Sequence, residues 1–218
     1  MLPIEPIRPL KDVWLRPRRV FRELATQPVG IADYLLMSGQ GIGNFLALYR
    51  TQGAGAHSSV ARILANSFAY GTIAGVASVL LMAVIYRRLG TRAGGKSTTN
   101  QVIHVLAYGG VPMVASLAIW VLTALLAGED TFVETPRADV EAFLALLLHL
   151  QFISYVLLLI WSIVLQVMGF SEIQGLATRK AFGVWVLGQL IGFLASLFLA
   201  VAVEVLFPGV LLHLIPQR

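Results

Sequence analysis

The chain contains no cysteine. That excludes disulfides, thiolate nucleophiles and cysteine-ligated metals. Charge is scarce as well: 12% of the 218 residues are Asp, Glu, Lys or Arg, against 57% that are hydrophobic. Soluble domains carry about 25% charged residues. A chain so short of polar surface has lipid as its solvent. Acids are the scarcer sign, which leaves a formal net charge of +5. No compact basic domain accompanies that excess, so nucleic acid is not an expected partner. Pro3, Pro6 and Pro9 interrupt the N-terminus before any apolar core begins, which is unlike a cleavable signal peptide.

Catalytic patterns are missing too. There is no GxSxG elbow, no HExxH, and no carboxylate pair within an apolar run. His57, His104, His149 and His213 are scattered, so no metal site is expected; a histidine hydrogen-bonded within the helix bundle is the expectation, with His104 near the inner end of the third run and His149 in the outer half of the fourth. Residues 90–97, GTRAGGKS, match the phosphate-loop pattern GxxxxGK[ST]. That loop needs a buried strand before it, and here the preceding residues end an apolar run. The expectation is a turn with basic residues near lipid headgroups, and no cofactor.

What is present is a series of five apolar runs: residues 31–48, 63–86, 102–127, 142–168 and 181–207. A span needs about 20 residues at a rise of 1.5 Å each. The first run is the weakest, interrupted by SGQGIGN; the third holds Gly109, Gly110 and Pro112. Ahead of them, residues 1–12 read as an extended proline-rich tail. Residues 13–24, VWLRPRRVFREL, then form a short helix with Pro17 in its first turn. Val20, Phe21 and Leu24 fall on one side of it, Arg18, Arg19 and Arg22 on the other. Such a basic amphipathic helix suits an anionic leaflet, or sets orientation.

If all five runs cross from a cytoplasmic N-terminus, twelve of the sixteen Lys and Arg residues lie inside. The acidic stretch 128–141 lies outside, with Glu129, Asp130, Glu134 and Asp139. The expected fold class is therefore all-α: a polytopic membrane protein with five transmembrane helices and a short N-terminal amphipathic helix. Residues 1–30 form a cytoplasmic tail and 31–218 the transmembrane domain, with the C-terminus outside. Three GxxxG pairs, Gly39/Gly43, Gly71/Gly75 and Gly188/Gly192, mark helix-packing seams. Polar residues at membrane depth are functional leads: Gln40, Asn44, Asn66, Gln151, Gln166, Gln189 and Glu204.

The stretch 161–182, WSIVLQVMGFSEIQGLATRKAF, is read as a hinge between the fourth and fifth runs, its turn carrying Glu172, Gln174, Arg179 and Lys180. Three segments taken in order resemble the Yip1-domain family. VWLRPRRVFREL at 13–24 is similar to its N-terminal entry motif. GGKSTTNQVIHVLAYGGVP at 94–112 is similar to its second signature, and IWSIVLQVMGFSEIQGLATRKAF at 160–182 to its third. The resemblance implies a five-helix membrane domain. Eukaryotic relatives act in early secretory traffic, contact small GTPases and shape membranes. The short N-terminal region and RPRR opening look more like bacterial members, which implies a bacterial inner membrane.

The function expected is an integral membrane scaffold or accessory subunit without catalysis, contacting membrane lipids and a membrane-protein partner or a second copy of itself. Its contact surface is expected on the cytoplasmic side: Arg16, Arg18, Arg19 and Arg22; Gly94, Gly95, Lys96 and Gln101; and Glu172, Gln174, Arg179 and Lys180. The rival is a small transporter or lipid-handling protein, resting on the glycine-proline break at 109–112 and the polar segment 38–44. A water-filled cavity lined by Gln40, Asn44 and Gln166 would favour transport. A packed bundle with an exposed small-residue groove would favour scaffolding.

Overall fold

A computed structural model describes residues 8–133 and 142–206. Glu134, Arg137 and Asp139 of the acidic stretch, His213, Arg218 and the side chain of Glu204 lie outside what is described. Among the described residues every regular element is helical. Two short helices, α1 (Pro9–Asp12) and α2 (Pro17–Leu24), precede α3 (Ile31–Thr51), α4 (Val60–Arg92), α5 (Thr99–Gly109), α6 (Val111–Ala127), α7 (Ala142–Gln174) and α8 (Thr178–Leu206). The tail expected to be extended thus already holds one helical turn, with Arg8 N–H donating to Asp12 Oδ2 at 2.8 Å.

Among the described residues four stretches, not the expected five, are long and apolar enough to cross a membrane: Val60–Arg92, Thr99–Phe132, Ala142–Gln174 and Thr178–Phe198. The exception is α3. It is one continuous helix of 21 residues through the SGQGIGN segment, about 31 Å long, so length is not what it lacks. Asp33, Gln40 and Asn44 lower its hydropathy, and it survives among the others by packing. Gly41 of α3 meets Gly71 and Gly75 of α4 so closely that a Cβ on any of the three would run into the opposing backbone. In lipid, where apolar burial supplies little drive, such backbone approach is what holds helices together.

The α5–α6 span is the centre of the bundle. Half of its most apolar stretch is buried, against 11–17% for those of α4, α7 and α8, whose outward leucines and phenylalanines face lipid. The break inside it falls where the sequence places Gly109, Gly110 and Pro112. Pro112 sits in the first turn of α6, where its missing N–H costs nothing. Gly110 is pressed against the Gln40 side chain, and Gly109 against Gln166. The freed carbonyl of Gly109 accepts from Ser162 Oγ at 2.8 Å.

The bundle has two ends. At the far end the turn Ala54–Ala56 packs on Gly128–Phe132, and Trp120 stacks on Phe132 with ring centroids 5.9 Å apart. The near end gathers α2, the start of α3, the end of α4, the start of α5 and the α7–α8 turn. At 33 residues each, α4 and α7 are about 50 Å long, so they overrun a 30 Å hydrocarbon core and carry their ends into the headgroups.

Candidate functional site

The near end is assembled around α2. Pro17, Val20, Phe21 and Leu24 are all buried, and Phe21 reaches Gly169 of α7, where a Cβ would stand 3.0 Å from its ring. Each such side chain buried at the aqueous edge contributes about 1.5–3 kcal/mol. The apolar face of α2 is therefore occupied by the bundle rather than free for a leaflet. Arg22, on the other face, makes an ion pair of 2.7 Å with Glu172, and Arg18 Nη2 donates to Thr178 Oγ1 at 3.4 Å. Arg19 pairs with Glu23 one turn on, at 2.8 Å.

The turn between α7 and α8 is shorter than the sequence implies. Glu172 and Gln174 are in the last turn of α7, which runs six residues past Met168. Gly175 turns the chain with φ +65°, a conformation that favours glycine. Ser171 Oγ then donates to Leu176 O at 2.8 Å, fixing the turn before α8 starts.

The segment 90–97 forms a helix end, not a phosphate cradle. Gly95 N–H donates to Gly90 O at 2.8 Å and Gly94 N–H to Thr91 O at 3.1 Å, with Gly94 at φ +97°. These amides close the C-terminus of α4, so they face its carbonyls. Gln101 is also consumed internally. Its Oε1 accepts from Thr98 N–H at 2.9 Å, its own N–H donates to Thr98 Oγ1 at 3.3 Å, and its Nε2 donates to Ala25 O at 3.1 Å. That reciprocal cap starts α5 and ties it to α2. Gln174 is only 4% exposed and packs against Gly90 and Gly95. Neither of its amide atoms meets a protein partner.

Of the residues expected on this surface, Arg16, Arg18, Arg22, Gly94, Lys96, Arg179 and Lys180 are exposed. Glu172 and Gln101 are half-buried, and Gly95 and Gln174 are buried. Arg16, Lys96, Arg179 and Lys180 have no ion-pair partner among the described residues. Exposed Arg87, Arg88 and Arg92 extend the basic face along α4.

Beneath this face lies a pair absent from the expected polar leads. Asp33 Oδ1 accepts from His104 Nδ1 at 2.7 Å, and Gln27 O accepts at His104 Nε2 at 3.1 Å. Asp33 Oδ2 takes the Gly30 N–H at 2.9 Å. Because both ring nitrogens face acceptors, a doubly protonated imidazole beside an ionised carboxylate satisfies every atom. The sequence signal was there, an aspartate three residues past Gly30 at a helix start, but its partner is 71 residues away.

The whole arrangement lies within one matched unit, since residues 11–202 match the Yip1 domain. The chain belongs to the Yip1 family. No curated protein and no solved structure matches it. The Yip1 match begins ahead of α2 and ends within α8, so the near-end assembly falls entirely inside it. The small-residue pairs of this Yip1 chain are all taken up internally. Gly39 and Gly43 face Val114 and Leu117 of α6; Gly188 and Gly192 face Tyr86 and Met82 of α4. Among the described residues, no group of three His, Asp or Glu side chains is placed to hold a metal ion.

Proposed function

We propose that this Yip1-family protein is a membrane scaffold or accessory subunit that meets an acidic partner, protein or leaflet, through its near end, and that this end faces the cytoplasm. The observation carrying the reading is the set of four exposed, unpaired cations, Arg16, Lys96, Arg179 and Lys180. They stand on a platform locked by Arg22–Glu172, Gln101–Ala25 and Asp33–His104. Exposed charge with no ion-pair partner among the described residues, carried on a preorganised surface, is matched to a complementary acidic surface. Lysine and arginine excess also marks cytoplasmic ends. The helix seams do not contribute, because each glycine pair is already filled.

A second reading, transport, has one observation in its favour. A cavity of about 120 Å³ is lined in part by Gln40, Gln166 and Gln189. Organic ligands occupy pockets of about 300 Å³ and upward. Asn44 is not in the cavity lining but exposed. The amides of Gln40 and Gln166 are engaged as well: Gln40 Nε2 donates to Ala107 O at 3.2 Å, and Trp185 Nε1 donates to Gln166 Oε1 at 2.9 Å. Such amides cross-link α3, α5, α7 and α8, which favours the scaffold.

The test is purification in mild detergent, comparing the wild type with a variant reversed at Arg16, Lys96, Arg179 and Lys180. Loss of co-purifying protein or acidic lipid with an unchanged melting midpoint supports the surface. Full retention would refute it.

A further inference from the structure

At the far end, α3, α6 and α7 enclose a second, larger cavity, about 300 Å³, lined by Ala47, Arg50, Trp120, Gln151, Phe152 and Tyr155. Its one charged lining residue is Arg50; Thr51 and Tyr155 add hydroxyls. Arg50 Nη1 donates to Gln151 Oε1 at 3.0 Å. That contact fixes the guanidinium and turns the other half of the Gln151 amide loose: Nε2 is a buried donor without a partner, on a side chain 3% exposed. Arg50 has no carboxylate among the described residues. A partly buried cation and an idle donor side by side in an apolar wall are costly unless an anion completes them.

Depth decides the kind of anion. Gln151 lies 23 residues before the end of α7, about 34 Å along the helix, or one hydrocarbon thickness from the near end. Because the last turn of α7 stands in the near headgroups, the Arg50–Gln151 pair lies just inside the far leaflet's headgroups, within reach of a lipid phosphate. Phe152, exposed and part of the lining, continues the cavity wall onto the lipid-facing surface. A volume of about 300 Å³ takes a headgroup and the first methylenes, not a whole lipid. We infer that this cavity binds the phosphate of an acidic phospholipid, Arg50 holding its oxygens from the position that Gln151 gives it and the acyl chains lying outward past Phe152. A net-negative headgroup is selected because, among the described residues, the lining supplies one cation and no carboxylate to balance a choline. The site is separate from the near-end surface and does not depend on it.

The experiment uses the full chain in detergent, loaded with phosphatidylglycerol or phosphatidylcholine micelles and followed by native mass spectrometry. One phosphatidylglycerol per chain is expected to survive, in preference to phosphatidylcholine. R50Q and Q151L are each expected to lower its retention by about tenfold, the worth of one charge-assisted hydrogen bond. Q151L keeps a similar shape, so it carries the test if R50Q fails to fold. Equal retention of the two lipids, or undiminished retention in folded Q151L, overturns the proposal. An excess of inorganic phosphate is the last arm. If it leaves the lipid in place, the lipid assignment stands; if it displaces the lipid, the site belongs to a free oxyanion and the lipid assignment falls.

Discussion

Asp33 and His104 meet at 2.7 Å beneath the basic face, one at the start of α3 and the other one turn into α5. Both side chains are buried, so each is the other's main compensation for lost water. Removing one partner leaves a buried polar group stranded, at a cost of about 3–5 kcal/mol, whereas replacing both by apolar residues costs far less. Asp33→Leu and His104→Leu are each expected to lower the unfolding midpoint in detergent strongly, and the double variant to recover much of the loss. Additive single effects in that double-mutant cycle would show that the two groups are not coupled.

Of the interactions that hold α2 to the bundle, the ion pair and the buried ring are unequal. Arg22 is 73% exposed at its side chain and Glu172 16%, so water screens the pair and its worth is about 1 kcal/mol or less. Phe21 is fully buried, and truncating such a ring costs about 3–5 kcal/mol. Limited proteolysis after Arg22 or Arg19 should therefore be little faster in Glu172→Gln and much faster in Phe21→Ala. The reverse ranking would mean that charge, not packing, docks the helix.

The glycines separate packing from mere composition. Gly75→Leu would drive a side chain into the Gly41 backbone and the Met37 carbonyl, and overpacking without an escape route exceeds about 4 kcal/mol. Gly183 lies in the same class of apolar helix, yet nothing stands within 4 Å of its Cβ position. Gly183→Ala should be neutral or stabilise by up to about 1 kcal/mol. Yield and melting midpoint of the two variants give the comparison directly; a folded Gly75→Leu protein would contradict the α3–α4 seam.

Much of the bundle was legible from periodicity and run length, because lipid imposes one simple rule on α4 and on the spans that follow it. What escaped obeys other rules. α3 holds its place by backbone approach at Gly41, which hydropathy does not weigh. Gly71 and Gly75 were visible as a pair, but their partner Gly41 was not, since it lies between the residues of the other pair, Gly39 and Gly43. Asp33 went unnoticed inside an apolar run, and its pairing with His104 is a long-range contact that no local spacing encodes. Arg16, Lys96, Arg179 and Lys180 were expected at a surface and are exposed, because a charge without a partner stays in water. Gln101 and Gln174 look the same in sequence, yet the fold spends them on a helix cap and on packing against Gly90 and Gly95.

Gln174 makes that difference measurable. Its amide is buried with both atoms unpartnered, a desolvation cost of about 1–3 kcal/mol that an apolar side chain of similar shape avoids. Gln174→Met is expected to raise the melting midpoint. A drop of comparable size would mean that the amide is satisfied by a bound group in the membrane and has a role beyond packing.

The absence of native cysteine makes orientation directly testable, since any introduced thiol is the sole reactive one. Lys96 is exposed at the near end and Gln52 at the far end, just past α3. K96C should react with a membrane-impermeant maleimide only after the membrane is opened, and Q52C in intact cells. Because α4 runs from one end to the other, the two sites report on opposite faces whatever the polarity of α3. The reversed pattern would leave the fold intact and turn the basic face outward, removing the cytoplasmic partner. Labelling of both sites on one face would contradict the end-to-end course of α4 itself, and with it the placement of Arg50 and Gln151 at the far leaflet.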